Sequence, residues 1–181
     1  MPWQRREAVI GVPENPATIS DIEVYTPKGP WGTKSGGNLF VLAALSAKRL
    51  KEGFFRYDPR ELAEIPEDIR GLRLYSVQNL LKGRIGGGEF HRIRREILFC
   101  LEGEVLWTCN DLFGGETGAL LRQNEGILVP SFILHSYRVK KGKASLLVIA
   151  NTLFNPADTG TYDTYSAEIF AEMQNRICNR K

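Results

Sequence analysis

Four side chains of this chain have the chemistry of a proton-transfer or metal-binding site: Glu89, His91, Glu96 and His135. The two imidazoles belong to the chain's only histidines. Imidazole and carboxylate groups can together bind a divalent ion such as iron, manganese, nickel or zinc. The same groups can act as general acid and general base without a metal. The residue types alone therefore leave both chemistries open.

Strand geometry explains how these residues can meet. Side chains two positions apart on a β-strand point to the same face, so Glu89 and His91 are expected to share one interior. Glu96 and His135 can then converge on them. His135 lies in the alternating run 133–139, which places it on an apolar face. Glu96 is the more doubtful member, because a glutamate in a charged turn is usually solvated.

A succession of short strand-like segments must position this site. From residue 72 onward they are separated by glycine-rich or charged turns, and they read LRLYSV, EFHRI, EILFCL, EVLWTC, ALLRQ, GILVP, HSYRV and SLLVIA. This spacing is typical of an all-β sandwich or barrel. We therefore predict a barrel over residues 36–163. Its first strand is expected to be buried and to span residues 38–44, an apolar run that follows a pair of glycines.

The segments on either side of the predicted barrel have different patterns. Residues 1–35 are rich in proline and lack periodicity, which predicts an irregular N-terminal arm with one short strand near residues 22–25. Prolines among many charges at residues 48–70 predict a surface excursion with at most a short helical turn. Apolar residues recur every fourth position from Tyr165, which predicts a C-terminal helix over residues 164–181, packed on the barrel.

Two segments resemble the paired motifs of the cupin superfamily. The first has the superfamily's spacing at Gly83, Glu89, His91, Glu96 and Gly103, with Glu89 where a first histidine is usual. The second is EGILVPSFILH, which has Gly126, Pro130 and His135 at the usual glycine, proline and histidine positions. The two motifs stand in the expected order. The resemblance implies a cupin jelly-roll barrel with its site inside.

Residues 72 to about 170 also resemble the WxcM-like or FdtA-like sugar-nucleotide ketoisomerases. RLYSVQNL is similar to that family's Arg, apolar, Tyr strand, and GGEFHRIRREILFCLEGEV to its RGxHAHK segment. LLVIANTLFNPADTGTYDTYSAEIF is similar to its closing strand and the run into its last helix. The resemblance implies a metal-independent reaction of deoxysugar and polysaccharide biosynthesis on a dTDP-4-keto-6-deoxyhexose. A base removes a proton beside the ketone, an enediol-like intermediate forms, and the ketone moves between carbon 4 and carbon 3.

The resemblance also assigns roles to individual residues. His91 stands at the family's second catalytic histidine and Glu89 at the first, with Tyr75 on the neighbouring strand as a third catalytic candidate. The residues expected to bind ligand are Arg73, Arg92, His135 and Tyr137. Tyr75 and Tyr137 can also serve as wall residues, because aromatic side chains often fill barrels.

The arginines near the predicted site occur in two different settings. Arg73 lies in an apolar strand and needs a partner, which a nucleotide diphosphate or an internal carboxylate would supply. Arg92 belongs with Arg94 and Arg95 to a run of positive charge. Such runs at hairpins are normally solvated, so this segment is expected to form a surface turn.

Two departures from the family's pattern leave three hypotheses open. Glu89 replaces the first histidine, and Gly86 replaces the arginine that normally precedes it. Glutamate can act as a base and raises the pKa of a neighbouring imidazole, so an acid/base isomerase or epimerase without a cofactor is the first hypothesis. The second is a metal-dependent cupin enzyme whose ligands are Glu89, His91, Glu96 and His135. The third is a non-catalytic sugar-binding cupin.

Composition limits the other functions. A net charge of +3, from 24 basic and 21 acidic residues, is too small to indicate nucleic-acid binding. No apolar stretch indicates a signal peptide or a membrane span, so we expect a cytoplasmic protein. The three cysteines lack metal-site spacing and are expected to be reduced. Expected partners are a nucleotide sugar and a second copy in a homodimer, because the irregular arm cannot cover a sheet alone.

Overall fold

The computed structural model describes residues 10–65 and 68–179. Three parts of the predicted elements lie outside the described residues. They are the first nine residues of the arm, residues 66–67 of the excursion and the last two residues of the C-terminal helix. The strands in the described ranges are β1 (Glu23–Tyr25), β2 (Lys28–Gly32), β3 (Asn38–Val41), β4 (Arg70–Leu81), β5 (Ile85–Phe90), β6 (Glu96–Asn110), β7 (Glu116–Leu121), β8 (Gly126–Val129), β9 (Leu134–Thr152) and β10 (Tyr165–Ser166).

Most of these strands belong to one antiparallel sheet. Its hydrogen-bonded path runs β1-β8-β6-β9-β5-β10, while β4 pairs with β9 and β7 pairs with β6. The path does not close into a ring among the described residues. The long strands β6 and β9 pair from Glu96 opposite Ala150 to Asn110 opposite Leu134, and the other strands are arranged around them. The predicted all-β architecture is confirmed.

The core lies on the inner face of β6 and β9. Val105, Trp107 and Cys109 alternate along β6 and are each at most 1% exposed. Val139 and Leu146 on β9 are equally buried and join the same cluster. Period-two alternation of apolar side chains therefore drives this pairing, because a shift of one residue would turn the whole set towards solvent. The apolar face predicted for the run 133–139 is confirmed, since Ile133, His135 and Val139 are buried.

The prediction of a buried first strand at residues 38–44 is wrong. Within the described ranges β3 pairs only with β2, in a separate two-stranded ribbon, and its side chains are exposed, with Leu39 at 50%. The main sheet instead begins with β1, which pairs with β8. Apolar content alone does not show whether a strand joins the main sheet or a separate ribbon. The later part of this run, Leu42 and Ala43, does pack against the main sheet.

Short helical segments follow the ribbon. Helix α1 (Ala47–Arg49) continues into a π-helical turn (Leu50–Phe54), and α2 (Pro59–Ala63) begins after Asp58, whose carboxylate accepts a hydrogen bond from the Arg60 backbone. The prediction of at most a short helical turn is wrong, since helical segments cover 47–54 and 59–63, and Phe54 is buried against the sheet rather than exposed.

The chain closes with helix α3 (Ala167–Cys178), which buries Ile169, Phe170 and Met173. The predicted C-terminal helix is therefore present, but it starts later than residue 164, because Tyr165 and Ser166 form β10 and pair with β5. No helix in the described ranges is long and apolar enough to cross a membrane.

Candidate functional site

The two histidines lie side by side, where β5 ends and β9 begins. Their ring centroids are 5.2 Å apart, and both residues are at most 3% exposed. His91 Nδ1 lies 2.6 Å from the backbone oxygen of Asp163, and His135 Nδ1 lies 3.1 Å from that of Ile133. A carbonyl oxygen can only accept, so each neutral ring keeps its proton on Nδ1. This leaves the lone pair of each Nε2 available for chemistry.

Glu96 lies between the two imidazoles. Its Oε2 is 3.7 Å from the Nε2 atoms of both His91 and His135, beyond hydrogen-bond range. Its Oε1 accepts a hydrogen bond of 2.9 Å from the Tyr75 hydroxyl and one of 3.4 Å from Arg94. Burial raises the pKa of Glu96, but His91 and Arg94 outweigh this effect and hold the pKa well below its usual value. Glu96 is therefore a buried carboxylate beside both histidines, in agreement with the expectation that it converges on them.

Glu89 approaches the histidines from β5. It lies opposite His135 in the β5·β9 ladder, just after an irregularity in register at Gly87. Gly87 has a φ of +76°, and a Cβ there would lie 2.8 Å from the backbone oxygen of His135. Glycine is thus required at this position, since it allows both the backbone conformation and the close approach. The bulge directs Glu89 towards the two imidazoles.

Glu89, His91 and His135 form one cluster. A carboxylate oxygen of Glu89 and one nitrogen of each ring all lie within 4.8 Å of one another. Glu89 Oε2 and His91 Nε2 are buried and have no hydrogen-bond partner among residues 10–65 and 68–179. Burial, followed by the charge of His91, lowers the pKa of His135. The predicted convergence of these side chains is therefore present in the structure.

A cavity of about 300 Å³ opens beside this cluster. The polar and aromatic residues that line it include Arg73, Tyr75, Glu89, Arg94, Glu96, Trp107, His135 and Tyr137. His91 is not among the lining residues, but one of its ring nitrogens lies within 4.8 Å of ligand atoms of Glu89 and His135, which do line the cavity.

Arg73 presents its guanidinium group to the cavity between two aromatic rings. Its central carbon lies 5.0 Å from the Tyr75 ring centroid and 5.1 Å from that of Phe154. Burial, followed by the charge of Arg94, lowers the pKa of Arg73. Its Nε has no hydrogen-bond partner within the described part of the chain. This guanidinium group is thus placed to receive an anion.

The run of arginines is not a solvated turn, and that prediction is wrong. Arg94 is 5% exposed and donates to Glu96 and Thr164. The Asp163 carboxylate accepts the backbone N–H groups of Arg92, Ile93 and Arg94. Three such bonds hold the turn against the segment before α3. Arg94, which the sequence reasoning missed, is therefore part of the site.

Arg92 does not join the other predicted site residues. Its Nε and Nη2 atoms donate to Glu61 and Glu64 at 2.6 Å, so they bind the short helix α2 rather than the cavity. A signal for Arg94 was present in the sequence. Arg94 and Glu96 are two positions apart at the start of an apolar strand, where a charge needs a partner just as Arg73 does.

Comparison with solved structures identifies the fold's relatives. A 3,4-ketoisomerase from Helicobacter canadensis is 21% identical with a TM-score of 0.57, and the match covers 86% of this chain and 98% of that one. A mutant of the 3,4-ketoisomerase QdtA from Thermoanaerobacterium thermosaccharolyticum, in complex with TDP-4-keto-6-deoxyglucose, is 17% identical with a TM-score of 0.56, over 87% of this chain and 97% of that one.

A third related structure is an epimerase. The dTDP-6-deoxy-D-glucose-3,5-epimerase RmlC from Legionella pneumophila is 18% identical with a TM-score of 0.53, over 84% of this chain and 76% of that one. At sequence identities this low, the structural similarity shows a shared fold and nothing more. No curated protein matches the chain significantly. The family model described as WxcM-like, C-terminal (FdtA) matches residues 59–169, more than half of the sequence, and the chain therefore belongs to that family.

Proposed function

We propose that this chain is an isomerase or epimerase of a nucleotide-activated keto-deoxysugar, acting by proton transfer in the cavity. The observation that carries the proposal is the cluster of Glu89, His91 and His135. It lies beside a cavity whose lining includes the Arg73 guanidinium, a group that can bind an anion. The family and its fold relatives, which include TDP-sugar ketoisomerases, favour the same class of substrate.

In the proposed reaction, Glu89 is the proton carrier that meets the sugar. It lines the cavity, and its Oε2 has no hydrogen-bond partner in residues 10–65 and 68–179. A carboxylate oxygen in this state can take the proton from the carbon beside the ketone, and the electrons of the broken C–H bond form an enediolate. The shift of the ketone is complete when a proton returns to the former carbonyl carbon and the proton of the neighbouring hydroxyl moves to the former carbonyl oxygen. The exchange is redox-neutral and needs no cofactor.

His91 is the second proton carrier in this proposal. One of its ring nitrogens lies within 4.8 Å of a Glu89 carboxylate oxygen, a separation that one water molecule can bridge. The Nδ1 contact with Asp163 leaves the Nε2 lone pair free, so the ring can accept and return a proton. Since Glu89 lines the cavity and His91 does not, His91 is assigned to exchange protons with Glu89 rather than with the sugar directly.

Three further residues are proposed to hold the substrate. The Arg73 guanidinium, which lacks a partner for its Nε among the described residues, pairs with the diphosphate. Tyr75 and Tyr137 form walls of the cavity. Burial and then the charge of Glu89 raise the pKa of Tyr137, so its hydroxyl stays protonated and can donate a hydrogen bond to a sugar oxygen.

The test uses TDP-4-keto-6-deoxyglucose in deuterated water, followed by nuclear magnetic resonance. We expect deuterium at the carbon beside the ketone and a product with its ketone on carbon 3 or an inverted centre. His91→Asn and Glu89→Gln should each lower turnover about a hundredfold to ten-thousandfold, with little change in binding. Glu102→Gln is the matched control, because Glu102 is exposed and its carboxylate accepts a hydrogen bond from the Ser145 hydroxyl, away from the cavity.

The same experiment decides between catalysis and simple binding. If the sugar nucleotide binds but neither exchanges deuterium nor changes, the chain is a sugar-binding cupin and the proposal is wrong. If His91→Asn stays within a few-fold of the parent protein while Glu89→Gln is inactive, the role assigned to His91 is wrong and Glu89 acts with another carrier.

A further inference from the structure

We infer that a second cavity in this protein binds the phosphate group of a small molecule through Arg56 and Arg95. This inference does not depend on the proposed function. The second cavity has a volume of about 740 Å³, which is within the usual range for small-molecule sites. The residues that line it lie within 13–23, 45–61, 92–95 and 128–132. None of them also lines the cavity beside the histidines, so the two cavities are separate.

The segment that leads into β6 contributes to both cavities. Arg94 and Glu96 line the first cavity, whereas Arg95, which stands between them, lines the second. Successive side chains of an extended segment point to opposite sides, which explains this division. The Arg95 backbone N–H donates a hydrogen bond of 2.7 Å to the Asn151 side chain, which holds the segment in place. The Arg95 side chain therefore belongs to the second cavity alone.

Arg95 is oriented by the backbone and keeps part of its guanidinium group free. Its Nη1 donates to the backbone oxygens of Gly53 and Arg56, at the end of the π-helical turn. Its Nε and Nη2 form no hydrogen bond with the described residues. These two groups form the edge of a guanidinium that can bind an oxyanion at two points. The edge is therefore available to a ligand.

Arg56 places a second positive charge near Arg95. Burial, followed by the charge of Arg56, lowers the pKa of Arg95. The Arg56 side chain has no hydrogen-bond or ion-pair partner within residues 10–65 and 68–179. Two positive charges without a counter-ion repel each other, and an anion bound by both removes this repulsion.

The other charged groups that line the second cavity are already paired. Three of its five arginines form ion pairs, Arg49 with Glu23, Arg60 with Glu14 and Arg92 with Glu61. Its three remaining carboxylates also have partners, Asp21 with the Thr18 backbone, Glu52 with Lys48 and Asp58 with the Arg60 backbone. In the described ranges, only Arg56 and Arg95 are lining arginines without a carboxylate. An incoming anion therefore finds its positive charge at these two residues.

The pair of guanidinium groups selects the class of ligand. One carboxylate is satisfied by a single arginine, whereas a phosphate group carries more charge and has enough oxygens to bind two. The cavity is also larger than a phosphate ion, so it has room for the rest of a phosphorylated molecule.

The test titrates inorganic phosphate and, separately, adenosine monophosphate into the full chain by isothermal titration calorimetry at constant ionic strength. We expect saturable phosphate binding by the parent, at roughly one ion per chain. Arg56→Gln and Arg95→Gln should each weaken it about tenfold, as loss of a charge-assisted hydrogen bond typically does. Arg84→Gln is the matched control and should bind like the parent, because Arg84 is exposed and lines neither cavity.

The two probes distinguish the sources of the phosphate group. Tighter binding of adenosine monophosphate, with the same dependence on Arg56, assigns the site to a phosphorylated organic molecule, and weaker binding assigns it to free phosphate. Either result supports the inference. Circular dichroism shows whether each variant is folded, and Arg56→Gln decides the question if loss of the backbone contacts unfolds Arg95→Gln. A parent that binds no phosphate, an Arg56→Gln variant with unchanged affinity, or an equal loss in Arg84→Gln would overturn the inference.

Discussion

The hydroxyl group of Tyr75 on β4 donates a hydrogen bond of 2.9 Å to the buried Glu96 carboxylate on β6. Burial and then the charge of Glu96 raise the pKa of Tyr75, so the hydroxyl keeps its proton and remains a donor well above neutral pH. The two strands are not paired with each other in the described sheet, where β4 pairs with β9. This bond therefore connects two walls of the cavity through side chains.

We expect Tyr75→Phe to destabilise the protein, because it removes one donor from a buried charged acceptor without changing the ring. Hydrogen bonds to charged groups contribute about 1.5–3 kcal/mol, which sets the expected loss in the free energy of unfolding. Denaturant titration measures it. Tyr162→Phe is the control, because its hydroxyl bonds the exposed Pro156 backbone oxygen and should matter less. Equal losses for the two variants would contradict the role given to the Glu96 bond.

The sequence predicted the centre of the site better than its surroundings. Glu89 and His91 were found because strand periodicity and motif spacing are local properties, and the ladder does place Glu89 opposite His135. Glu96 was judged doubtful because a carboxylate's burial depends on partners far along the chain. Here the partner is Tyr75, which is 21 residues away.

The same reason explains the errors outside the site. Arg94 is buried because Thr164 and the Asp163 carboxylate bind its side chain and backbone from 70 and 69 residues away. The spacing of Arg94 and Glu96 indicates that each charge needs a partner, but it does not show which distant residues help to bury them. The apolar sequence of β3 predicts a buried strand although β3 is exposed, since hydrophobic content does not show which sheet a strand joins. Charge burial and strand pairing are both decided by tertiary contacts.

We expect Arg94 and Glu96 to be strongly coupled. Removal of one member of a buried ion pair leaves the other uncompensated and costs about 3–5 kcal/mol. Arg94→Gln and Glu96→Gln should each lose stability of this order, and the double variant should lose less than the sum of the two. A double-mutant cycle by denaturant titration measures the coupling. Additive losses would show that the contact at 3.4 Å contributes no net interaction.

We expect a homodimer through the outer face of β4. Leu72, Leu74 and Leu81 are each more than half exposed along this strand. Within the described residues β4 pairs only with β9, so its other edge is open. Exposed edges with apolar side chains usually need protection, which a second copy would provide.

Light scattering should give twice the chain mass for the parent protein and one chain mass for a Leu72→Lys, Leu74→Lys double variant. Leu120→Lys on β7, a less exposed leucine on another strand, is the control and should remain dimeric. A parent protein that is monomeric at micromolar concentration would refute the dimer, and a dimeric double variant would place its interface elsewhere.

Gly86 lies directly opposite Tyr137 in the β5·β9 ladder. A Cβ on Gly86 would overlap the phenol ring, with Tyr137 Cε1 only 2.7 Å away. The ring cannot easily move aside, because it packs against Trp107 at a centroid distance of 5.1 Å. Gly86 is therefore the residue that admits Tyr137 to the cavity wall.

Gly86→Ala should cost about 1–3 kcal/mol, as overpacking typically does, and should weaken binding of the sugar nucleotide by displacing Tyr137. Tyr137→Ala alone opens a void, but in the double variant the new methyl group enters that space, so the double variant should be more stable than the sum of the single losses predicts. Denaturant titration and calorimetry measure the two effects. The control is Gly118→Ala, where a Cβ comes no closer than 3.4 Å to its neighbours. If Gly86→Ala and Gly118→Ala are equally stable, Tyr137 has room to move and the steric argument is wrong.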